Sequence, residues 1–384
     1  MSDRRQFRVG LNLVFLTDRS AGAGRYVQEL LPALLDAEPE LRMTAFVGAD
    51  APTELLDQPW SGRVEWKHFP VTVTARTHLL AQMAAIPVVA ARRGLDVIHS
   101  PANIGPLATP GAARVVTLLD VIWLHQGERW ETGRAASAFA RLSAVCARNA
   151  HRVLTISESA RDDVTAALGL PDGKVDVAPL GVTPPPDGGP ASAVEVRRRF
   201  ELGERPLVLC VAQKRPYKNL SVLIRALGEL DEPVLLLPGA PTEHEGALRS
   251  LARELGVEER VRFLSWVSEE ELEGLYRAAA CFVLPSLIEG FGLPVLEAMA
   301  RDVPVACSDR PALPEVVGDA ALLFDPEDQA AVTAAVRTLL SDPAFAARLT
   351  ERGRERVRMF SWRRTAEATL ASYRRAVADR GARR

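Results

Sequence analysis

The stretch Ser286-Leu287-Ile288-Glu289-Gly290-Phe291-Gly292-Leu293-Pro294-Val295-Leu296-Glu297-Ala298-Met299-Ala300 decides how the rest of the chain is read. It follows a short apolar run, 281–285, of the kind that forms a buried parallel strand. A loop with two glycines comes next, and Pro294 then opens an Ala/Leu/Met-rich segment. Proline suits the first helical position, where its missing N–H costs nothing. Strand, glycine loop and helix start together make an anion site, with the backbone N–H groups of Phe291, Gly292 and Leu293 pointing into the loop. Seven residues lie between Glu289 and Glu297, which puts the second carboxylate one turn into the helix. So near the positive helix end, a carboxylate suits a neutral diol, such as a ribose, beside a diphosphate. Taken by itself, Glu297 is equally an ordinary helix carboxylate stabilised by the dipole.

Outward from this stretch, apolar strand-like runs alternate with longer helical patterns, the mark of parallel α/β architecture. Strands are expected at 7–12, 43–47, 64–69, 97–100, 114–119 and 152–156, and helices at 24–37, 78–92, 136–150 and 158–168. Proline and glycine crowd 183–190, which sustains neither element and reads as a linker. A second series follows, with strands at 207–212, 234–237, 261–265, 281–284 and 303–306. Two such lobes facing each other are expected to hold a ligand cleft at the carboxyl ends of their strands. Near the end, Ser361 stands as the N-cap of a last amphipathic helix.

Composition narrows the function classes. A chain of 384 residues with 47% hydrophobic content suits two full-sized domains. Net charge of −2 and few aromatics argue against nucleic acid as a partner. Cys146, Cys210, Cys281 and Cys307 are scattered through apolar segments, which predicts buried free thiols in a reducing, cytoplasmic setting. The longest apolar run, 79–91, contains Gln82 and Pro87 and is too short to span a bilayer. No Asp-x-Asp-type pair closes a strand to hold a divalent metal, so neither metal nor cofactor is expected. Of 47 basic side chains only four are lysines, and Lys214 and Lys218 share one loop. An ammonium meets phosphate as a compact point charge, where arginine is a broad fork.

The 286–300 stretch resembles the E-x7-E signature of retaining, nucleotide-sugar-dependent glycosyltransferases of family 4, which have the GT-B fold of two Rossmann-like parallel-sheet domains facing a central cleft. That resemblance implies residues 1–183 as an acceptor-binding domain, 184–195 as linker and 196–360 as the nucleotide-sugar domain, with the 361–384 helix returning to the first domain. It implies that Glu289 contacts the donor sugar, Glu297 the ribose, and the amides of Phe291, Gly292 and Leu293 the phosphates. The loop Ala212-Gln213-Lys214-Arg215-Pro216-Tyr217-Lys218-Asn219 resembles the family's Gly-x4-Arg-Lys-Asn turn, with Lys218 as the residue that neutralises the diphosphate. Gln213 stands where many relatives place a phosphate-binding arginine, and Lys214 or Arg215 is the available replacement. Gly239 and Val267 end strands that approach the nucleotide in relatives, and Trp266 beside the latter either walls the base pocket or packs in the core. Ser308, Glu315 and Gly318 continue the family pattern as structural residues.

In the first lobe, Ala21-Gly22-Ala23-Gly24-Arg25-Tyr26 resembles the family's Thr-Gly-Ile-Gly-Arg-Tyr turn, so Gly22 and Gly24 are expected against the donor. His99 is either near the cleft or a satisfied core histidine. Where relatives read Thr-x-His-Asp, this chain has Leu119 for the histidine and keeps Asp120. Asp120 takes over a polar contact, or His125 does, or the sugar site is less polar. The expected activity is sugar transfer from a nucleotide-diphosphate sugar to a hydroxyl acceptor, with a natural product, aminocyclitol, glycan or lipid-linked sugar open as that acceptor. The alternative is an inactive sugar-nucleotide-binding partner or sensor of the same fold, favoured by the missing histidine alone. Segment 79–91 and the arginines at 134, 141, 148 and 152 leave peripheral membrane contact open beside a core helix with a solvated face. The Arg/Ala/Pro-rich composition resembles that of actinobacterial proteins.

Overall fold

The computed structural model describes residues 6–17, 20–73, 77–120, 122, 134–185 and 193–382. The chain divides into two compact units, one of Met1–Gly181 with Trp362–Arg384 and the other of Val182–Ser361. The second unit thus begins just ahead of the expected linker, most of which lies outside the described residues.

Among the described residues, unit 1 holds a seven-stranded sheet: β1 (Arg8–Leu13), β2 (Arg42–Val47), β3 (Val64–His68), β4 (Val97–Ser100), β5 (Ala113–Thr117), β6 (Arg152–Thr155) and β7 (Val175–Val177). Their order is β3-β2-β1-β4-β5-β6-β7, and the pairings are parallel. Unit 2 holds a six-stranded sheet: β8 (Leu207–Leu209), β9 (Val234–Pro238), β10 (Val261–Leu264), β11 (Cys281–Leu284), β12 (Val305–Ser308) and β13 (Leu322–Phe324). Its order, β10-β9-β8-β11-β12-β13, is again parallel and follows the same winding. In both sheets the order reverses beside the first strand, between β1 and β4 and between β8 and β11. Ligands of open α/β sheets bind at such a reversal, because the loops on its two sides turn away from each other. Strands β4, β9, β11 and β12 are buried along their whole length; β9 and β11 accordingly read as unbroken apolar runs, while β4 and β12 end in buried polar residues.

Local chemistry sets the helix starts. The Ser157 hydroxyl accepts from the Ala160 amide at 2.9 Å to open the helix Glu158–Leu168. Ser268 and Glu271 form a reciprocal capping box for Glu269–Ala278. The expected helix 78–92 is instead three pieces: Thr77–Leu80, a π-helical turn Ala81–Ala85, and Ile86–Arg93. Pro87 supplies no N–H to the i→i−4 ladder, and the register widens just ahead of it. Within that turn Gln82 faces inward, accepting from Asn12 Nδ2 at 2.7 Å. Ala81, Gln82, Ile86 and Ala90 are buried on this segment while Leu79, Leu80 and Val88 are exposed at 42%, 65% and 49%, so it has a core face and a solvated face that is partly apolar. Of the arginines considered with it, Arg148 donates to the Leu168 carbonyl and Arg152 pairs with Asp176, both within the unit.

The last helix, Trp362–Ala382, belongs to unit 1. Tyr373 Oη lies 2.7 Å from His99 Nδ1, Ser372 donates to Asp176 at 2.6 Å, and Thr365 donates to the Pro179 carbonyl at 2.6 Å. His99 is therefore a satisfied core histidine, with Thr117 Oγ1 2.7 Å from its Nε2. All four cysteines are buried and free. No helix among the described residues is long and apolar enough to cross a membrane.

Candidate active site

Unit 2 carries its charged centre at the sheet reversal. Lys218 follows β8, Glu289 follows β11, and those strands are hydrogen-bonded neighbours. This adjacency joins residues 71 apart in sequence: Lys218 Nζ lies 2.5 Å from Glu289 Oε1. The two loops are also tied directly, the Leu287 amide donating to the Tyr217 carbonyl at 2.8 Å. Lys218 closes a short 3₁₀ turn, Pro216–Lys218, and Asn219 then takes a left-handed φ of 51° before the helix Leu220–Gly228. Asn219 is fixed there by donating to the Pro326 carbonyl at 2.8 Å.

Glu289 is held from a second side. The buried Ser286 hydroxyl donates to Oε1 at 2.7 Å, and Ser308 in turn donates to the Ser286 carbonyl at 2.6 Å. Ser308, expected to be structural, thus supports the glutamate loop through one intermediate. The Lys218 and Glu289 side chains are only 16% and 10% exposed, so their charge-assisted bond is little screened by water.

The helix after Glu289 starts at Leu293, and Pro294 takes its second position, still within the turn whose N–H groups have no helical acceptor. Gly292 precedes it at φ 97°, and a Cβ there would stand 2.4 Å from Leu313 Cδ2, so only glycine fits. Glu297 lies half-buried on this helix, and its Oε2 accepts from Tyr276 Oη at 2.9 Å. Burial, and then the neighbouring carboxylate, push the Tyr276 phenol far up, so it stays a proton donor. Arg301 stacks over the Tyr276 ring and pairs with the buried Glu273 at 2.6 Å, fixing the ring beneath Glu297.

Four other residues of the donor reading, Gly239, Val267, Lys214 and Arg215, follow the neighbouring strands β8, β9 and β10. Gly239 closes β9 at φ 145°, and a Cβ there would fall 2.1 Å from the Ala212 carbonyl oxygen. Val267 is half-buried after β10, and Trp266 beside it is 55% exposed, which excludes the core-packing reading. Lys214 and Arg215 part ways. Arg215 is exposed, bonded to Gln213 at 3.1 Å, whereas the Lys214 side chain is wholly buried with its ammonium on the carbonyls of Gly239 and Leu264.

In unit 1, the helix expected from Gly24 starts three residues earlier, at Ala21, so that Gly22 and Gly24 both sit in its first turn, and space beside Gly22 is open. Asp120 follows β5, half-buried, accepting from the Ile122 amide at 3.1 Å. Leu119 is half-buried beside it, and His125 lies outside the described residues. Sequence reasoning missed Tyr276 and Ser286. The one signal for Ser286 was its place three residues before Glu289; Tyr276 gave none beyond an aromatic on a helical face.

Comparison with known proteins places the chain in a family and a fold. Residues 194–356 match the family described as Glycosyl transferases group 1, and residues 20–184 the one described as Glycosyltransferase Family 4. The chain is 32% identical over 319 residues to the MMP alpha-(1->4)-mannosyltransferase of Mycolicibacterium hassiacum, covering 77% of this chain and 74% of that protein. It is 33% identical over 231 residues to O-antigen chain mannosyltransferase B of Escherichia coli, covering 59% of this chain and 61% of that one. Two solved structures share the fold. Sucrose-phosphate synthase from Thermosynechococcus elongatus superposes with a TM-score of 0.75 at 23% identity, over 96% of this chain and 98% of the other. Anabaena HepE, solved with UDP-glucose, superposes with a TM-score of 0.75 at 18% identity, over 95% and 99%. With both of its units matched and an intact glutamate pair, the chain belongs to glycosyltransferase family 4.

Proposed function

We propose that this protein transfers a hexose-type sugar from a nucleoside diphosphate to a hydroxyl acceptor with retention of anomeric configuration and without a metal ion. The reading rests above all on one observation: Lys218 and Glu289 meet at the sheet reversal of unit 2, with Glu297 eight positions further on and held by Tyr276. In this reading the ammonium of Lys218 and the amides of Phe291, Gly292 and Leu293 take up charge on the leaving diphosphate. Arg215, exposed on the same loop, supplies long-range attraction. Glu289 orients the sugar and Glu297 the ribose, while Gly239 and Val267 line the nucleotide. Catalysis is then positioning and charge stabilisation, with no covalent enzyme intermediate. Of unit 1, Gly22 and Gly24 are assigned to the donor's phosphate or sugar and Asp120 to a polar contact with the sugar.

Relatives point to the donor. Two are named mannosyltransferases, and a third, from Mycolicibacterium smegmatis, is named as GDP-mannose-dependent with an alpha-(1-6) product. GDP-mannose is itself an α-glycoside, so an α product from it is retention. This supports GDP-mannose as the donor of first choice. The test is a thermal-shift screen of UDP-, GDP-, ADP- and dTDP-sugars, followed by acceptor-dependent nucleotide release and NMR of the new linkage. Selective stabilisation by a GDP-sugar, transfer that persists in EDTA, and an α linkage are expected. A β linkage, or transfer abolished by EDTA and restored by Mg²⁺, refutes the mechanism; stabilisation by another nucleotide sugar alone refutes the donor.

A further inference from the structure

Lys214 occupies a position that an apolar residue would fill more cheaply. Its side chain is wholly buried, and its ammonium donates to the main-chain carbonyls of Gly239, after β9, and of Leu264, at the end of β10. The same residue is held through its backbone. Its amide donates to the Ala240 carbonyl at 3.4 Å, and its carbonyl accepts from the Thr242 hydroxyl. One side chain thus joins three consecutive strand-end loops on one half of the sheet. The nearest carboxylate is only a distant partner: Glu245 Oε2 lies 4.0 Å away, and the other oxygen of that carboxylate, Oε1, is paired with Arg249 at 2.7 Å. A buried ammonium in that condition costs stability. Burial accordingly draws its pKa down to about 8, with Glu245 opposing and Arg249 adding to the shift.

We propose that Lys214 is a positioning residue that staples the loops after β8, β9 and β10, fixing the loop that carries Lys218. It does not touch the diphosphate. The inference rests on reading unit 2 as the donor-binding half, because only there does fixing these loops serve the reaction. A residue that costs stability and orders a functional loop leaves a definite signature when removed: the fold keeps or gains stability while substrate binding suffers.

The test is Lys214→Met in the full chain. At pH 7 the variant is expected to melt at or above the wild-type temperature. Its KM for the sugar-nucleotide donor rises about tenfold while kcat stays within about threefold. Amide hydrogen exchange quickens at 212–219, 239–242 and 264–267 and is unchanged in β11 and β12. Unchanged KM with unchanged exchange overturns the proposal. So does a variant that fails to fold, or that melts lower with exchange raised across the whole sheet, since Lys214 is then a structural residue. If the wild type turns over no sugar nucleotide, the proposed function falls, and the exchange comparison still decides the staple.

Discussion

Lys218 and Glu289 are partners of one another, so on the proposed function a donor has to compete with each for the other. This gives their variants opposite signatures in binding. Glu289→Gln takes away the carboxylate facing Lys218, so free nucleoside diphosphate should bind as well as to wild type or more tightly, while turnover falls about 10²–10³-fold. Lys218→Ala should lose turnover on the same scale of about 10²–10³-fold and weaken the diphosphate as well. Calorimetry with the nucleoside diphosphate separates the two, and weaker binding in Glu289→Gln contradicts the shared-partner account. Tyr276 acts one step back, on Glu297. Removing its hydroxyl in Tyr276→Phe should cost about 1 kcal/mol of donor binding, and Glu297→Ala about 1–3 kcal/mol. Because the phenol works through the carboxylate, the double variant should bind donor no worse than Glu297→Ala alone. Additive losses in that cycle detach Tyr276 from the site. These residues also mark where sequence reading stops. Lys218, Glu289 and Glu297 sit in local patterns whose spacing is itself the signal. Tyr276 lies 21 positions before its partner on another helix, and only the packing of the two helices joins them. Lys214 was legible as a cation, but not its direction, because nothing local distinguishes a lysine aimed at phosphate from one turned onto carbonyls.

At the level of elements, burial alone did not decide how well a strand was read: β8 and β12 are buried throughout, yet β8 ends three residues short of its expected bound and β12 is shifted by two. β4 and β11 fall at their expected bounds; β11 is an unbroken apolar run, as burial on both faces demands, whereas β4 ends in His99 and Ser100, buried and hydrogen-bonded. β7 and β13 went unread, being three-residue strands at sheet edges, too short for any period to show. The terminal helix was legible as a helix from its own residues, while its attachment to unit 1 depends on long-range pairs such as His99 with Tyr373. That pair carries a pH dependence. Burial holds the His99 pKa down to about 3, so the folded chain keeps the ring neutral where an unfolded chain would protonate it. Between pH 6.5 and 3 the unfolded state binds more protons, and stability is lost as pH falls. Between pH 6.5 and 5 the histidine alone should remove about 1.5 kcal/mol from unit 1. Urea titrations of wild type and His99→Gln across that interval check this, and parallel pH slopes in the two proteins count against it.

The molecule as a whole interrupts one domain with another: unit 1 begins and ends the chain, and unit 2 is a continuous insert from Val182 to Ser361. A continuous segment with its own parallel sheet and buried strands satisfies the requirements for independent folding. Among the described residues, Lys218 and Ser286, bonded to Glu289, and Tyr276, bonded to Glu297, are all inside that segment, whereas the sheet of unit 1 needs the final helix to cover it. The two halves should therefore respond differently to dissection. Residues 182–361 expressed alone should unfold cooperatively in urea and bind the nucleoside diphosphate within about tenfold of the full chain's Kd, since a preformed site needs no help from elsewhere to bind it. They should transfer no sugar. Residues 1–181 alone should aggregate, because the apolar faces of β4, β5, β6 and Ala21–Ala37 lose the helix that covers them, and adding 362–384 through a short linker should restore solubility. Calorimetry on the first fragment and sedimentation of the second decide the matter. Loss of nucleotide binding in a folded 182–361 would move part of the donor site into unit 1, and soluble, folded 1–181 would reduce the terminal helix to an ornament of the surface.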